Sequence, residues 1–402
     1  MDTTTKFTNY LFALFSDSTY VIFLFIGVLE GGPPLSTFSI DFTVFFAAIV
    51  SVMLLVSVVV GSHRQFSRDI LIAQGLLIGL LAWLAISLLW APASNVGPNR
   101  VIKAVVGLSI AFGYPIWMIG HDTYRIDRLL WIITGFGILL AVLFFIWDPI
   151  LIVVPNRISL ARPIGLATVI LTARVITSQG RSTVIYVAII PILIFALLKN
   201  GSRAPAGSAV ISCGAIVVWG LINKRKIFNF SRWLLLLIPV LIVFFSDYFQ
   251  SDTSSTVQRF MNLLNGGGTS VISRLHYYDW SISSWLSSPL SAVIGEGVGA
   301  FAVEYNGLGS SATYPHNIFV ELAISGGFIA LLLYMSFLWI VLKGIGSSEV
   351  SDHPVHIGVI GITVFMILNS QVTGDIYINK YLFLALSLLS LTKLMQKPHL
   401  SQ

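Results

Sequence analysis

Long apolar runs, repeated along the whole chain and separated by short charged connectors, limit what this sequence can fold into. A hydrocarbon core about 30 Å thick takes ~20 apolar residues per helical span. The runs are of that order, and there are too many of them for a signal peptide and a single anchor. Of the 402 residues, 56% are hydrophobic and 10% charged. The mean hydropathy of +0.89 lies outside what a water-soluble domain needs to stay dissolved. Ten-residue segments of alternating polarity are absent, so the expectation is an all-α integral membrane protein and not a barrel.

About twelve spans can be drawn, near 9–29, 42–61, 70–90, 101–120, 128–148, 162–180, 183–198, 205–222, 232–247, 317–342, 356–374 and 378–395. The sixth is the least regular. It carries Arg174 and ends in Ser178-Gln179-Gly180-Arg181, which suggests a broken or partly re-entrant segment, tolerated only against protein or water. Between the ninth and tenth spans lies one large polar loop, 246–316. It lacks the apolar content to fold alone, and the expectation is short helices laid on the bundle. Leu275, Tyr278, Ile282, Trp285 and Leu286 recur there at helical spacing on one face. No repeat of fixed period is present, and residues 1–402 read as a single polytopic membrane domain.

The net charge of +6 and pI near 9.4 concern orientation before they concern nucleic acid, which is not expected as a partner. With the N-terminus cytoplasmic, one side receives Lys6, Arg64, Arg68, Arg125, Arg128, Lys224, Arg225, Lys226 and Arg232 among others. That excess satisfies the positive-inside rule. Both termini are then cytoplasmic, and the large loop lies outside. The other side still receives Arg100, Arg157, Arg162, Arg203, Arg259 and Arg274. Arginine placed against the orientation bias asks for a partner: an anionic ligand, lipid headgroups or local carboxylates. Cys213 is the only cysteine, so neither a disulfide nor a thiolate metal site can form within one chain.

His316 sits between Pro315 and a long apolar run, with Asn317 following. At the outer interface its imidazole is a candidate general base near neutral pH; the plain alternative is a helix-start histidine bonded to backbone. His276 lies two residues from Arg274, where helical geometry turns the side chains roughly 200° apart, so the two are not expected to act on one atom. No metal site is expected. Arg203 occupies the turn Asn200-Gly201-Ser202-Arg203-Ala204-Pro205, and Arg274 opens the amphipathic loop segment. Guanidinium binds phosphate through two parallel hydrogen bonds, and two such groups on a diphosphate would stabilise it as it leaves. Snorkelling to headgroups is the alternative for each. Arg157 and Arg162 are secondary candidates beside the irregular sixth span. Gly295-Glu296-Gly297-Val298-Gly299 looks like a nucleotide loop only superficially and reads as a chain reversal that lets backbone pack closely. Glu321 lies ~140° around the helix from His316, which favours a structural role at least as much as an orienting one.

Taken in order, Gly201-Ser202-Arg203, the Arg274 loop, the segment from Pro289-Leu290 to Gly299-Ala300-Phe301, and His316-Asn317 followed by Gly327 resemble the superfamily of O-antigen ligases and Wzy-type polymerases. The likeness covers roughly residues 200–342 as sequence and the whole chain as topology. It implies a GT-C-like polytopic glycosyltransferase of the bacterial inner membrane whose active site faces the periplasm. The donor would be an undecaprenyl-diphosphate-linked glycan. The acceptor would be the lipid A core oligosaccharide for a ligase, or a second lipid-linked glycan for a polymerase. No metal, nucleotide or other cofactor is implied, and membrane lipids surround the site. By the same resemblance His316 takes the place of the loop histidine, and Arg203 and Arg274 those of the essential arginines on the diphosphate, with Asn317 beside them. The pattern ends in Gly, Thr or Tyr where this chain has Ala330. Ligase is the first reading and polymerase the alternative. A transporter or flippase for lipid-linked sugars ranks lower, because the arginines cluster at one face and not at the midplane.

Overall fold

The computed structural model describes residues 3–28, 41–60, 66–92, 94–146, 157–177, 181–222, 256–264, 269–305, 314–343, 345, 353–373 and 375–392. Among these residues every regular element is helical. In chain order the α-helices are α1 (Thr3–Phe25), α2 (Phe42–Val60), α3 (Arg68–Ile86), α4 (Val96–Tyr114), α5 (Thr123–Ile146), α6 (Arg157–Thr177), α7 (Arg181–Lys199) and α8 (Arg203–Ile222). There follow α9 (Thr256–Leu264), α10 (Thr269–Trp285), α11 (Pro289–Ile294), α12 (Ala300–Glu304), α13 (Ile318–Leu342), α14 (Pro354–Ser370) and α15 (Lys380–Thr392).

Eight of the described helices are long and apolar enough to cross a membrane, and α14 and α15 are shorter apolar helices. The expected span at 232–247 lies outside the described residues, so the described chain does not carry the count to twelve. The expectation for the sixth span is corrected. Its helical part, Arg157–Thr177, runs as one α-helix with Pro163 inside it, and it is the most buried of the candidate spans. Of its three arginines, Arg157 stands at the N-terminus, and Arg162 and Arg174, buried within the helix, are tolerated because each meets a partner inside protein. Arg162 donates from Nε to Asn369 Oδ1 at 2.9 Å, and Arg174 pairs with Asp127 while lying 4.1 Å from the Trp131 ring centroid.

The contacts group the chain into two compact units, each discontinuous in sequence. The first comprises 1–55, 121–267 and 350–369; the second comprises 56–120, 268–349 and 370–402. In the first unit α6 packs against α5, α7 and α8. α5 and α6 touch at Gly137, where an added Cβ would come within 2.5 Å of the Pro163 carbonyl oxygen. Asp17, fully buried in α1, is gripped by Arg125 at 2.7 Å and by Arg128 from the start of α5. A buried carboxylate held by two guanidinium groups adds little net stability, but losing it strands both cations.

In the second unit α13 packs on α3, and α4 packs on α15. α13 is not a continuous rod. It breaks at Gly327, with φ 65° and ψ −159°, a conformation open essentially to glycine alone. The break interrupts the helical hydrogen-bond ladder, and carbonyls beside it find other donors. Ile324 accepts from the Glu296 amide at 2.7 Å, and Gly326 accepts from Trp83 Nε1 at 2.7 Å. Gly295, Gly297 and Gly299 all have positive φ, so the glycine-rich segment is the close chain reversal expected from sequence. Trp90 Nε1 donates to the Gly295 carbonyl at 3.2 Å, and the Val298 amide donates to Ser87 Oγ at 3.2 Å.

The loop does form short helices, α9 to α12, but the inward face of α10 is shifted around the helix from the expected apolar face, of which only Tyr278 and Trp285 are partly buried. Leu275, Ile282 and Leu286 are 60%, 43% and 57% exposed. Arg274, Tyr277, Tyr278 and Ser281 form the inward face instead. Aromatic contacts set this orientation, because the Tyr277 ring meets Phe301 and Tyr305 edge-on.

Replacing Asp17 by leucine is expected to destabilise the first unit by about 3–5 kcal/mol, read as a fall in the thermal midpoint of the detergent-solubilised protein. Gly327→Ala is expected to lower that midpoint as well, because it combines about 1–3 kcal/mol of backbone strain with a Cβ placed 2.3 Å from the Val293 carbonyl oxygen.

Candidate functional site

Asn317 starts α13. From extended backbone its side chain accepts from the amides of Phe319 at 2.9 Å and Val320 at 3.2 Å, satisfying donors that a helix start leaves bare. Its Nδ2 donates to the Gln371 carbonyl at 3.3 Å. Asn317 is thereby tied into the fold, and the residue before it is held in a fixed place. That residue, His316, has φ 64°, the left-handed region that a non-glycine residue occupies only when its surroundings hold it there.

The inward face of α10 brings Arg274, Tyr277 and Tyr278 to this helix start, one turn apart along the helix. The Tyr278 hydroxyl hydrogen-bonds to the Asn317 side chain. Its phenol is pushed up chiefly by burial, an effect that Arg274 and the Asn317 hydrogen bond partly offset. His316 lies with its ring centroid 4.2 Å from that of Tyr314 and 6.2 Å from that of Tyr277, the latter nearly parallel. The imidazole is pushed down to about 4, first by burial and then by the positive charge of Arg274. Both causes disfavour the protonated ring, so His316 is neutral at pH 7. Its Nδ1 is buried and has no hydrogen-bond partner among the described residues. Arg274 forms no ion pair among the described residues, and its charge acts on His316 and Tyr278.

Glu321, one turn into α13 and 1% exposed, serves the scaffold. Arg100 on α4 approaches it to 3.5 Å, and the Ile376 amide donates to it at 3.0 Å. Tyr377 lies under Arg100, with 5.6 Å from guanidinium carbon to ring centroid, and donates its hydroxyl to Ser325 at 3.2 Å. Arg100 thus finds a local carboxylate, one of the three partners the sequence left open. Gln371, Ile376 and Tyr377 are fastened to the first turns of α13 through Asn317, Glu321 and Ser325, which steadies the turn that carries His316.

Arg203 belongs to the first unit. It opens α8 two residues after Gly201, whose φ is 81°, and its Nη1 donates to the Arg259 carbonyl at 3.1 Å. Arg259, on α9, has its guanidinium pulled down by burial and then by the charge of Arg157, which opens α6. Arginines from three helices therefore gather in this unit, two of them at helix N-termini that carry partial positive charge. Arg162 holds Asn369. The structure thus brings Arg274 and His316 together in one unit and Arg203 and Arg157 together in the other. His276 points away as expected and is exposed.

Residues 187–335 match the O-antigen ligase family model, Wzy_C. The matched segment takes in α8 to α12 and part of α13, and with them Arg203, Arg274, His316 and Gly327. The resemblance to O-antigen ligases and Wzy-type polymerases is borne out over that segment. No curated protein matches the chain. Within the matched segment the glycines play structural parts. Gly327 makes the break in α13, and Gly295 lies so close to it that a Cβ on Gly295 would meet the Gly327 amide at 2.6 Å.

Reading along the sequence missed Tyr277 and Tyr314 as neighbours of His316, Tyr278 as partner of Asn317, and Arg259 as companion of Arg157 and Arg203. Tyr277 and Tyr278 had a usable signal, since they lie three and four residues after Arg274. Tyr314 had none beyond proximity in the chain, and Arg259 none beyond its place among the outer-side arginines.

Arg100→Leu is expected to cost about 3 kcal/mol by stranding Glu321, and the double replacement Arg100→Leu with Glu321→Leu is expected to recover much of that loss. Thermal melting of the two variants against wild type checks this.

Proposed function

We propose that the protein is an O-antigen ligase that moves a glycan from an undecaprenyl-diphosphate carrier to a sugar of the lipid A core, on the periplasmic side of the bacterial inner membrane. One observation carries the reading. A neutral imidazole with a buried, unpartnered Nδ1 sits beside a guanidinium that forms no ion pair among the described residues.

A hydroxyl of the acceptor sugar donates to the imidazole, and His316 takes its proton as the oxygen attacks the anomeric carbon of the donor. The bond from that carbon to the diphosphate breaks, and the electron pair leaves with the lipid diphosphate. Arg274 compensates the charge that develops there. Attack opposite the leaving group inverts the anomeric centre. The imidazolium left behind is disfavoured by burial and by Arg274, so it passes its proton to water and returns to the neutral state. Arg203 and Arg157, with Arg259 beside them, are assigned to phosphate binding in the first unit. Asn317 contributes by fixing the backbone under His316.

A polymerase would use the same groups and differ in its acceptor, a second carrier-linked glycan. Ala330 favours keeping that reading, because it stands where the ligase pattern has Gly, Thr or Tyr. Reaction of the purified protein with labelled carrier-linked glycan, offered lipid A core or carrier-linked repeat units, separates the two. Product on neither acceptor would sink the transferase reading.

His316→Ala is expected to lower transfer by about 100-fold or more in protein that still folds. The pH dependence follows from the depressed imidazole. Activity should persist as pH falls through 6.5 and fail only near 4, where His316 takes up a proton. Arg274→Gln removes one of the two depressing influences, so its acid limb should move up toward 6.5. Arg274→Lys should keep the limb low while losing rate, since lysine retains the charge and lacks the bidentate fork. An acid limb at the same pH in wild type and Arg274→Gln would count against His316 as the titrating base.

A further inference from the structure

We infer that Tyr277 and Tyr314, flanking His316, form a sugar subsite that takes one pyranose ring of the acceptor glycan and presents its hydroxyl to the imidazole. The inference rests on the transferase reading and adds to it the residues that hold the acceptor. The two tyrosines lie on different segments, one on α10 and one just before Pro315, yet both rings reach the same imidazole, with centroids 6.2 and 4.2 Å away.

Neither ring is packed away as a core side chain would be. Both are half-buried, whereas Phe301 beneath Tyr277 is 2% exposed. The Tyr277 plane is fixed by edge-on contacts to Phe301 at 5.5 Å and Tyr305 at 5.1 Å, and Phe301 and Tyr305 are themselves stacked. This is a preorganised aromatic surface beside a base.

A pyranose ring matches such a surface. One of its faces presents several C–H groups with slight positive charge, which suit the negative face of an aromatic ring, while its hydroxyls point outward around the rim. Stacked at carbon-to-carbon contact of about 3.5–4 Å on either tyrosine, a sugar would have a rim hydroxyl at the neighbouring imidazole. A base needs its proton donor within about 2.6–3.2 Å. The part-exposed imidazole of His316 is the acceptor such a hydroxyl would meet. A diphosphate is a poor fit to these rings, because their faces repel negative charge. They therefore suit the sugar, while Arg274 suits the carrier.

The experiment measures transfer at saturating donor while lipid A core acceptor is varied, in wild type and in Tyr277→Leu, Tyr314→Leu, Tyr277→Phe, Tyr314→Phe and Tyr314→Trp. Leucine at either position should raise the acceptor KM about tenfold with little change in kcat, whereas phenylalanine, which keeps the ring face, should leave KM near wild type. Tyr314→Trp should hold or lower KM, and it decides the matter if a leucine variant fails to fold. Unchanged KM in the leucine variants, a loss confined to kcat, or equal losses in phenylalanine and leucine variants would overturn the subsite. A wild type that transfers to the core while the leucine variants behave like it overturns the subsite alone. A wild type that transfers to neither lipid A core nor carrier-linked repeat units overturns the transferase reading and the subsite with it.

Discussion

Carbonyl groups beside Gly327 hold the second unit in register. Because α13 breaks there, the carbonyls of Ile324 and Gly326 accept from the Glu296 amide and the Trp83 indole, and the loop helices are thereby locked to the helix that starts at Asn317. A backbone acceptor left bare inside a low-dielectric protein costs as much as a lost hydrogen bond or more. The break and the glycine-rich segment that answers it must therefore occur together. Everything at the helix start, from the Asn317 cap to the strained backbone of His316, sits on that joint.

Charge is distributed in two ways. Asp17 with Arg125 and Arg128, Asp127 with Arg174, and Glu321 with Arg100 are ion pairs whose arginines and, in two of the three, whose carboxylates are largely inside protein. An ionisable group within a mostly apolar bundle is tolerated in that form. Arg274 departs from it, with no ion pair among the described residues, and its field reaches the His316 imidazole. Partnered charge serves the scaffold here, and Arg274 is the charge that the proposed chemistry draws on.

Much of this was open to reading along the chain. The apolar runs other than 232–247 overlap described helices, the glycine-rich reversal packs backbone closely, and the charge of Arg274 acts on His316. Other parts were not legible, for identifiable reasons. Spacing shows which residues of 274–286 share a face, but not which face turns inward, and in α10 the contacts of Tyr277 with Phe301 and Tyr305 decided against the leucines. A buried arginine looks the same in sequence whether or not it is matched. Arg174 therefore suggested an irregular span, while Asp127 on another helix makes a regular one possible. Glu321 likewise revealed its part only when α4 supplied Arg100.

By itself the sequence determined the class of fold, because runs of apolar residues of spanning length have few stable alternatives to helices in a membrane. It also limited the candidates for the proposed site, since only a few side chains can act as a base near neutral pH or grip a phosphate. Tertiary structure decided which of those residues share surroundings. It set Arg274 and two tyrosines around His316, placed Arg203 with Arg157 and Arg259, and gave Arg100 to Glu321. Such pairings join residues far apart in the chain, and the energy that selects them comes from packing and desolvation in three dimensions, which local pattern does not encode.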